Sequence, residues 1–85
     1  GTLSTVSTVQ WYEITAESGA ELISEAHGAG SIECVTLCSG SLSVNVGGET
    51  ESICTGETLR FRTDVAHCLK NEGEGVAHGF MVNLL

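Results

Sequence analysis

Three polar residues are the first candidates for chemistry in this chain of 85 residues. His27 and Glu33 lie six positions apart around a glycine-containing turn, and His67 follows the segment LRFRTDVA. Two imidazoles and one carboxylate can form a facial triad that holds iron or another divalent metal and leaves positions open for substrate. His27, Glu33 and His67 are therefore candidate metal ligands, or contacts to an organic ligand with or without a metal.

The direction of Glu33 decides whether such a site can exist. In a strand, Glu33 and Val35 share one face, opposite Cys34 and Thr36. A carboxylate on the inner face would require a partner or a metal, whereas on an edge strand Glu33 would be an ordinary exposed acid. For His27 and His67 the alternative to a metal or ligand contact is that they are strand-end residues that hydrogen-bond locally. We expect Asn71, four positions after His67, to hold a turn through its side chain.

Other residues have two interpretations each. His78 lies on the bulky face of the last apolar run and is typical of a core or interface histidine, with a replacement ligand as the alternative. Trp11 and Tyr12 are adjacent and point to opposite faces of a strand, one to the core and one to an interface or pocket wall. Arg60 and Arg62 share a face that we expect to be solvated, with capture of an anionic effector as the alternative.

The charge of the chain excludes two classes of partner. Lys and Arg number 3 and Asp and Glu number 11, for a net charge of −8. Binding to phosphate backbones or anionic lipid needs clustered cations, so we expect no direct contact with nucleic acid or membrane. No apolar run is long enough for a membrane span and no signal peptide is visible, and we expect a cytoplasmic protein.

The four cysteines predict reduced thiols. Their spacing contains no Cys-x-x-Cys, and Cys34 and Cys38 would lie about 13 Å apart in one strand, too far for a disulfide. A zinc site built on the cysteines is the alternative. The sequence contains no nucleophile elbow and no phosphate-binding glycine loop, so it offers no serine nucleophile or nucleotide site.

Short alternating runs separated by glycines predict an all-β sandwich or barrel of six to nine strands. Gly47-Gly48 predicts a hairpin turn. One segment conflicts with the all-β prediction, because Ser18 to Glu21 has the form of a helix capping box and so indicates a helix start. The predicted strands are 9–15, 32–37, 42–46, 49–54, 59–62 and 76–85.

In this pattern the chain resembles the cupin superfamily. His27, Glu33 and Gly40 match the first cupin motif in spacing, and Gly56, His67 and Asn71 match the second. The resemblance covers residues 9–85 and implies one cupin-type jelly roll, a small β-barrel, over residues 1–85. It also implies that Glu21 to His27 form a strand that leads to a pocket, and this outweighs the capping box.

The departures from the motifs concern the metal. Ala29 stands where the family has a second histidine ligand, so that the fourth ligand position is lost. Glu21 replaces the first glycine, and Arg62 and Asp64 replace the proline and glycine of the second motif. The resemblance implies His27, Glu33 and His67 as the remaining ligands for Fe, Mn, Zn or Ni.

A narrower resemblance is to the C-terminal cupin domains of bacterial helix-turn-helix regulators of the XRE type. Thr63-Asp64-Val65-Ala66-His67 is similar to a turn common in those domains, with Ala66 in place of Pro. It implies a domain, either whole or a fragment of a longer regulator, that senses a small-molecule effector and forms a homodimer, while a helix-turn-helix outside these residues binds DNA.

Two alternatives to this function stay open. One is a stand-alone metal-dependent cupin enzyme, a dioxygenase or isomerase, that uses the two histidines and the carboxylate. The other is a structural domain whose pocket is filled by side chains and which serves dimer contacts alone.

Overall fold

The computed structural model describes residues 9–84, which form eight β-strands and no helix. Accordingly, no helix among these residues is long and apolar enough to cross a membrane. The strands are β1 Val9–Ala16, β2 Glu21–Ser24, β3 Ile32–Ser39, β4 Ser41–Val46, β5 Glu49–Cys54, β6 Thr58–Arg62, β7 His67–Lys70 and β8 Ala77–Leu84. The expected all-β class is confirmed, and Leu85, predicted to end the last strand, lies outside the described residues.

The strands form two antiparallel sheets that pack face to face. Sheet A has the order β1-β8-β3-β6 and sheet B the order β2-β7-β4-β5. Sequential strands therefore alternate between the sheets in places, as in a jelly roll, and sheet partners come from distant parts of the chain. This topology places Glu33 on β3 and His67 on β7 at opposite walls of one interior.

Period-two alternation places the core between the sheets. On β3, Glu33, Val35 and Leu37 are buried while Cys34 and Thr36 point away, as the pattern predicts. On β4, Leu42 and Val44 are buried in the same way. The buried apolar residues form one cluster: Val35, Leu37, Leu42, Val44, Ile53, Phe61, Leu69, Ala77 and Met81.

The last strand turns its bulky face outward. The residues on its inner face are Ala77, Gly79, Met81 and Asn83, and the larger His78, Phe80, Val82 and Leu84 are only half-buried. A Cβ at Gly79 would collide with the backbone carbonyl of Thr36 on β3. Gly79 is needed at this point because the Thr36 carbonyl of the paired strand β3 occupies the space that a side chain would take.

Glycine turns connect the strands where the backbone requires positive φ. Gly47 and Gly48 join β4 to β5 with φ of 56° and 91°, as a two-residue hairpin of the predicted kind. Gly40 has φ of 87°, and a Cβ there would lie 2.8 Å from the Cα of Ala77. No other residue type meets both demands at Gly40 without strain.

The segment with the capping-box pattern forms a turn and a strand. Gly19 adopts φ of 83°, which a helix does not accommodate, and its N–H donates to the Asn71 carbonyl at 2.8 Å. Glu21 to Ser24 then pair with β7, and Glu21 contacts Lys70 at 3.3 Å. The strand ends at Ser24, three residues before the predicted end at His27, and pairing to β7 overrides the local helix signal.

Neither aromatic residue of β1 lies in the core. Trp11 is on the outer face of sheet A, 65% exposed and stacked on Phe80 at 5.2 Å between ring centroids. Tyr12 lies on the inner face but remains 41% exposed, because β1 is the edge strand. The expectation that one of the pair would be buried is therefore wrong. The four thiols are unbridged, as predicted.

Candidate functional site

Glu33 and His67 face each other across the interior of the sandwich. Glu33 lies in the middle of sheet A, where β3 pairs with β8 and β6, and His67 lies between β2 and β4 in sheet B. His67 Nε2 is 4.0 Å from Glu33 Oε2, and the two side chains are 1% and 3% exposed. The inward direction of Glu33 is confirmed, and the alternative of an exposed acid is wrong.

The His67 ring is oriented by a hydrogen bond to the turn that precedes β7. Its Nδ1 lies 2.9 Å from the Val65 carbonyl oxygen, so Nδ1 carries a proton to donate there. In the neutral ring, Nε2 then presents a lone pair to the interior, toward Glu33. The tight turn before β7 is held by the N–H of Gly47, which donates to the Ala66 carbonyl at 3.2 Å.

His27 reaches the same place from a loop. Its N–H donates to the Thr63 carbonyl at 2.7 Å, which pins the loop to the end of β6. Ser31 closes the loop through its hydroxyl, which donates to the Gly28 carbonyl at 2.6 Å. The His27 ring meets His67 edge to face with centroids 5.2 Å apart. All three predicted site residues are therefore neighbours.

Unused hydrogen-bonding capacity is concentrated here. Among the described residues, five buried side-chain atoms have no hydrogen-bond partner among protein groups: His27 Nδ1, Glu33 Oε1, Thr63 Oγ1, His67 Nε2 and Asn83 Oδ1. Asn83 is the β8 neighbour of Glu33 in register, and Thr63 binds the His27 loop. Leaving a buried polar atom unsatisfied costs about 1–3 kcal/mol, so these groups favour a bound polar partner.

Burial raises the pKa of the Glu33 carboxyl above its usual value of 4.5, and the nearby His67 partly opposes this. Removal from water penalises the charged form, and the histidine can favour it. Glu33 therefore holds a proton to a higher pH than an exposed glutamate does. The protonated carboxyl is a donor and the ionised carboxyl an acceptor only, so its hydrogen-bonding role depends on pH.

A cavity of about 340 Å³ opens beside Glu33. Tyr12, Ile14, Leu22 and Met81 provide apolar walls, and Glu33, Asn83 and His27 provide a polar end. A second cavity of about 320 Å³ continues from it along the gap between the edge strands β1 and β2, sharing Ile14 and Leu22. Mostly apolar walls with a few convergent polar groups are typical of small-molecule sites.

The predicted metal does not fit this arrangement. In residues 9–84 no group of three or more His, Cys, Asp or Glu side chains could hold a metal ion. The His27 ring packs edge to face against His67, with centroids 5.2 Å apart. Ala29, at the lost ligand position, is exposed and supplies no donor. The same finding gives no support to a zinc site on the cysteines.

Asn71 and His78 have structural roles. The Asn71 side chain donates to the carbonyls of Ala16 at 2.9 Å and Gly75 at 2.8 Å and accepts from the Gly73 N–H at 3.0 Å. It holds the turn before β8, as predicted. His78 lies on the outer face, 3.5 Å from Glu13, so the alternative of a replacement ligand is wrong. The exposed Arg62 is paired with Asp64, away from this cavity.

Sequence reasoning did not identify Asn83 and Thr63 as site residues. Asn83 is polar on the inner face of β8, and only its register opposite Glu33 shows that it belongs to the site. Thr63 follows β6 and is 1% exposed; it begins the turn that resembles those of regulator cupin domains, but the resemblance assigned it no role. Tyr12 lines the cavity, as expected for one of the pair Trp11 and Tyr12.

Comparisons with known proteins agree with this fold. Residues 12–83 match the family described as the cupin domain. The HTH-type transcriptional regulator SutR of Escherichia coli (strain K12) is 39% identical over 67 residues, which is 79% of this chain. The chain spans 38% of the length of that regulator.

Two solved structures also come from regulators. The cupin domain of an XRE family transcriptional regulator from Enterobacter cloacae superposes with a TM-score of 0.85 and 27% identity, over 91% of this chain and 81% of that one. An HTH_3 family transcriptional regulator from Vibrio cholerae superposes with a TM-score of 0.83 and 23% identity, over 91% of this chain and 43% of that one. At that identity the second likeness shows the fold alone.

Proposed function

The chain belongs to the cupin domain family, and from this we propose that it is the small-molecule-sensing domain of a helix-turn-helix transcriptional regulator. DNA contact would be made by a segment outside these residues. The observation that carries the proposal is the buried polar group of His27, Glu33 and Asn83 at the end of a largely apolar cavity, with His67 4.0 Å from Glu33. The similarity to regulator cupin domains supplies the context.

The chemistry of the site favours binding over catalysis. Its polar atoms are held by rigid strands, and His67 is fixed by a hydrogen bond to Val65. The described residues offer no cluster of metal ligands on which the metal-dependent enzyme alternative would depend. The purely structural alternative conflicts with unpartnered buried atoms, since a pocket plugged by side chains would be lined with apolar groups.

The proposed mechanism is a shift in population. An effector that spans from the Glu33 wall on sheet A to the β2 edge of sheet B would favour the conformation in which those strands are closest. A ligand shifts such an equilibrium only by its difference in affinity for the two states. Its effect on DNA affinity is a coupling between two sites and would be reciprocal.

The test is ligand binding to matched variants. Asn83→Leu replaces an inner polar group with an apolar side chain of similar size, whereas Asn45→Leu makes the same change on β4, where Asn45 bonds Thr50 at 2.9 Å. We expect a library of small polar metabolites to contain compounds that raise the melting temperature of the wild type and of Asn45→Leu. Asn83→Leu should bind the same compounds with an affinity lower by about tenfold or more, and its melting temperature should rise less.

The same compounds should change operator binding by the full-length regulator. Equal responses of the two variants, or a compound that binds without any effect on operator affinity, would contradict the sensing role. Loss of folding in Asn83→Leu is checked by circular dichroism, and Asn83→Ser then replaces it as the variant.

We further propose that the outer face of sheet A binds a second copy of this chain. Trp11, Phe80 and Val82 form an apolar patch there, and Trp11 is mostly exposed. The patch has an acid, Glu13, on the edge strand β1 and exposed Arg60 on the opposite edge strand β6. A two-fold axis between the two facing sheets and parallel to their strands would lay β1 over the partner's β6 and pair these charges, which fits a self-complementary interface.

A further inference from the structure

We propose that the effector is a small organic amine bound as its ammonium ion, with a short apolar chain and no carboxylate. This rests on the proposed sensing function and names the ligand class for the same cavity. It depends on three features of the site, which are the hydrogen-bonding character of its polar end, the location of the chain's cations, and the composition of its walls.

The polar end of the cavity consists mainly of acceptors. Asn83 presents Oδ1, which can only accept, and Glu33 presents Oε1, which only accepts when ionised. His67 is outside the cavity lining, 4.0 Å from Glu33 Oε2, and in the neutral ring its Nε2 is also an acceptor, because Nδ1 donates to the Val65 carbonyl. An ammonium group provides three N–H donors and no acceptor, which matches this set. A carboxylate or phosphate would face the lone pairs of the same atoms.

The fixed side-chain cations lie elsewhere. The chain has only Arg60, Arg62 and Lys70. Both arginines are on the outward-facing positions of the edge strand β6, and Lys70 is paired with Glu21 at 3.3 Å. None of the three lines the cavity, whereas the Glu33 carboxylate does. With a net charge of −8, the potential at the cavity attracts cations and opposes anionic ligands.

The walls select for an apolar body of limited length. Ile14, Leu22 and Met81 line the cavity next to the polar end. A buried CH₂ group contributes about 0.8 kcal/mol, so a chain of a few carbons along these walls adds usefully to affinity. The second cavity, beyond Ile14 and Leu22, gives longer chains room toward the gap between β1 and β2.

The experiment compares three probes of nearly equal shape. The protein is titrated with n-butylamine, n-butanol and sodium butyrate at millimolar concentrations and constant ionic strength, and binding is followed by two-dimensional amide NMR. We expect butylamine to shift the amides of Glu33, Asn83 and Leu22, with an affinity about tenfold above that of butanol. Butyrate should give no shift at these positions.

Two variants assign the interaction. Glu33→Gln should weaken butylamine binding about tenfold and leave butanol unchanged. Glu74→Gln removes one negative charge in an exposed loop and should leave both unchanged. Equal losses in the two variants would mean that net charge alone attracts the amine, and would overturn the proposal.

The remaining outcomes separate this proposal from the sensing function. Stronger binding of butanol or butyrate than of butylamine at these amides would overturn the amine class and leave a ligand-binding cavity in place. No shift at these amides with any of the three probes would overturn both.

Discussion

At the scale of single residues, Glu33 has an unusual position for a carboxylate. It is 2% exposed, between Asn83 and Phe61 in sheet A, and His67 faces it across the interior. Carboxylates are rarely so buried without a close partner. The distance of 4.0 Å to His67 exceeds that of a hydrogen bond, so the pair leaves room for a donor to act between them.

The raised pKa of Glu33 predicts a pH dependence of stability. From pH 4.5, its usual pKa, up to its raised pKa, the folded chain binds a proton that the unfolded chain has lost. The free energy of unfolding therefore falls as pH rises through this window. Glu33→Gln cannot ionise, so its stability relative to the wild type should increase across the window and then level off.

Urea unfolding at several pH values, with a chelator present, measures this difference. His27 and His67, which face Glu33, are present in both proteins, so the comparison isolates the carboxyl. A difference that is constant from about pH 4 to about pH 8 would show that Glu33 ionises without penalty.

At the scale of elements, the pairing of β3 with β8 places Glu33 opposite Asn83 in sheet A. The two strands pair from Ile32 to Ser39, with a register shift after Leu37. Gly79 lies opposite Leu37, and its missing side chain lets the Thr36 carbonyl approach. Bulges and glycines of this kind re-aim strands next to functional sites.

Gly79→Ala should therefore be strongly destabilising. The added methyl meets backbone, which cannot move aside as a side chain can, and we expect a loss of about 2 kcal/mol or more. Gly75→Ala is the matched control, because nothing lies within 4 Å of its Cβ, and its effect should stay within about 0.5 kcal/mol. Thermal unfolding of both variants checks this. Equal melting temperatures of the two variants would contradict the close approach of the Thr36 carbonyl to Gly79.

At the scale of the whole molecule, the two sheets present different outer surfaces. The outer face of sheet A combines the Trp11 and Phe80 stack with Val82, while that of sheet B contains polar residues such as Asn45 and Lys70. Exposed apolar patches on a small domain commonly mark interfaces. The proposed second copy would cover the first face and leave the cavity between β1 and β2 accessible at its edge.

Trp11→Glu should convert a dimer to a monomer. The charge would be buried at the centre of the proposed contact, at a cost of several kcal/mol of association free energy. Ile23→Glu introduces the same charge at a 73% exposed position of β2 and should leave the dimer intact. Light scattering after gel filtration gives the masses. A monomeric wild type, or a dimer that Ile23→Glu alone disrupts, would contradict this interface.

The sequence by itself determined the fold class, six of the eight strands to within two residues at each end, and three neighbours of the site, but it did not predict β7, which carries His67. Alternation of period two is a local property, and it correctly placed Glu33 and Val35 on one face of β3, while leaving open whether that face is buried. The motif spacing correctly brought Glu33 and His67 together, because strand lengths and turns of a cupin leave little freedom in where those positions fall.

Only the tertiary structure decided which faces are buried and what the site lacks. The larger side chains of β8 suggest an inner face, yet they lie on the outer face, and Ala77, Gly79, Met81 and Asn83 are on the inner one. The helix signal before Leu22 was overruled by pairing to β7. The edge-to-face packing of His27 on His67 joins segments 40 residues apart, and a linear pattern carries no information about such contacts.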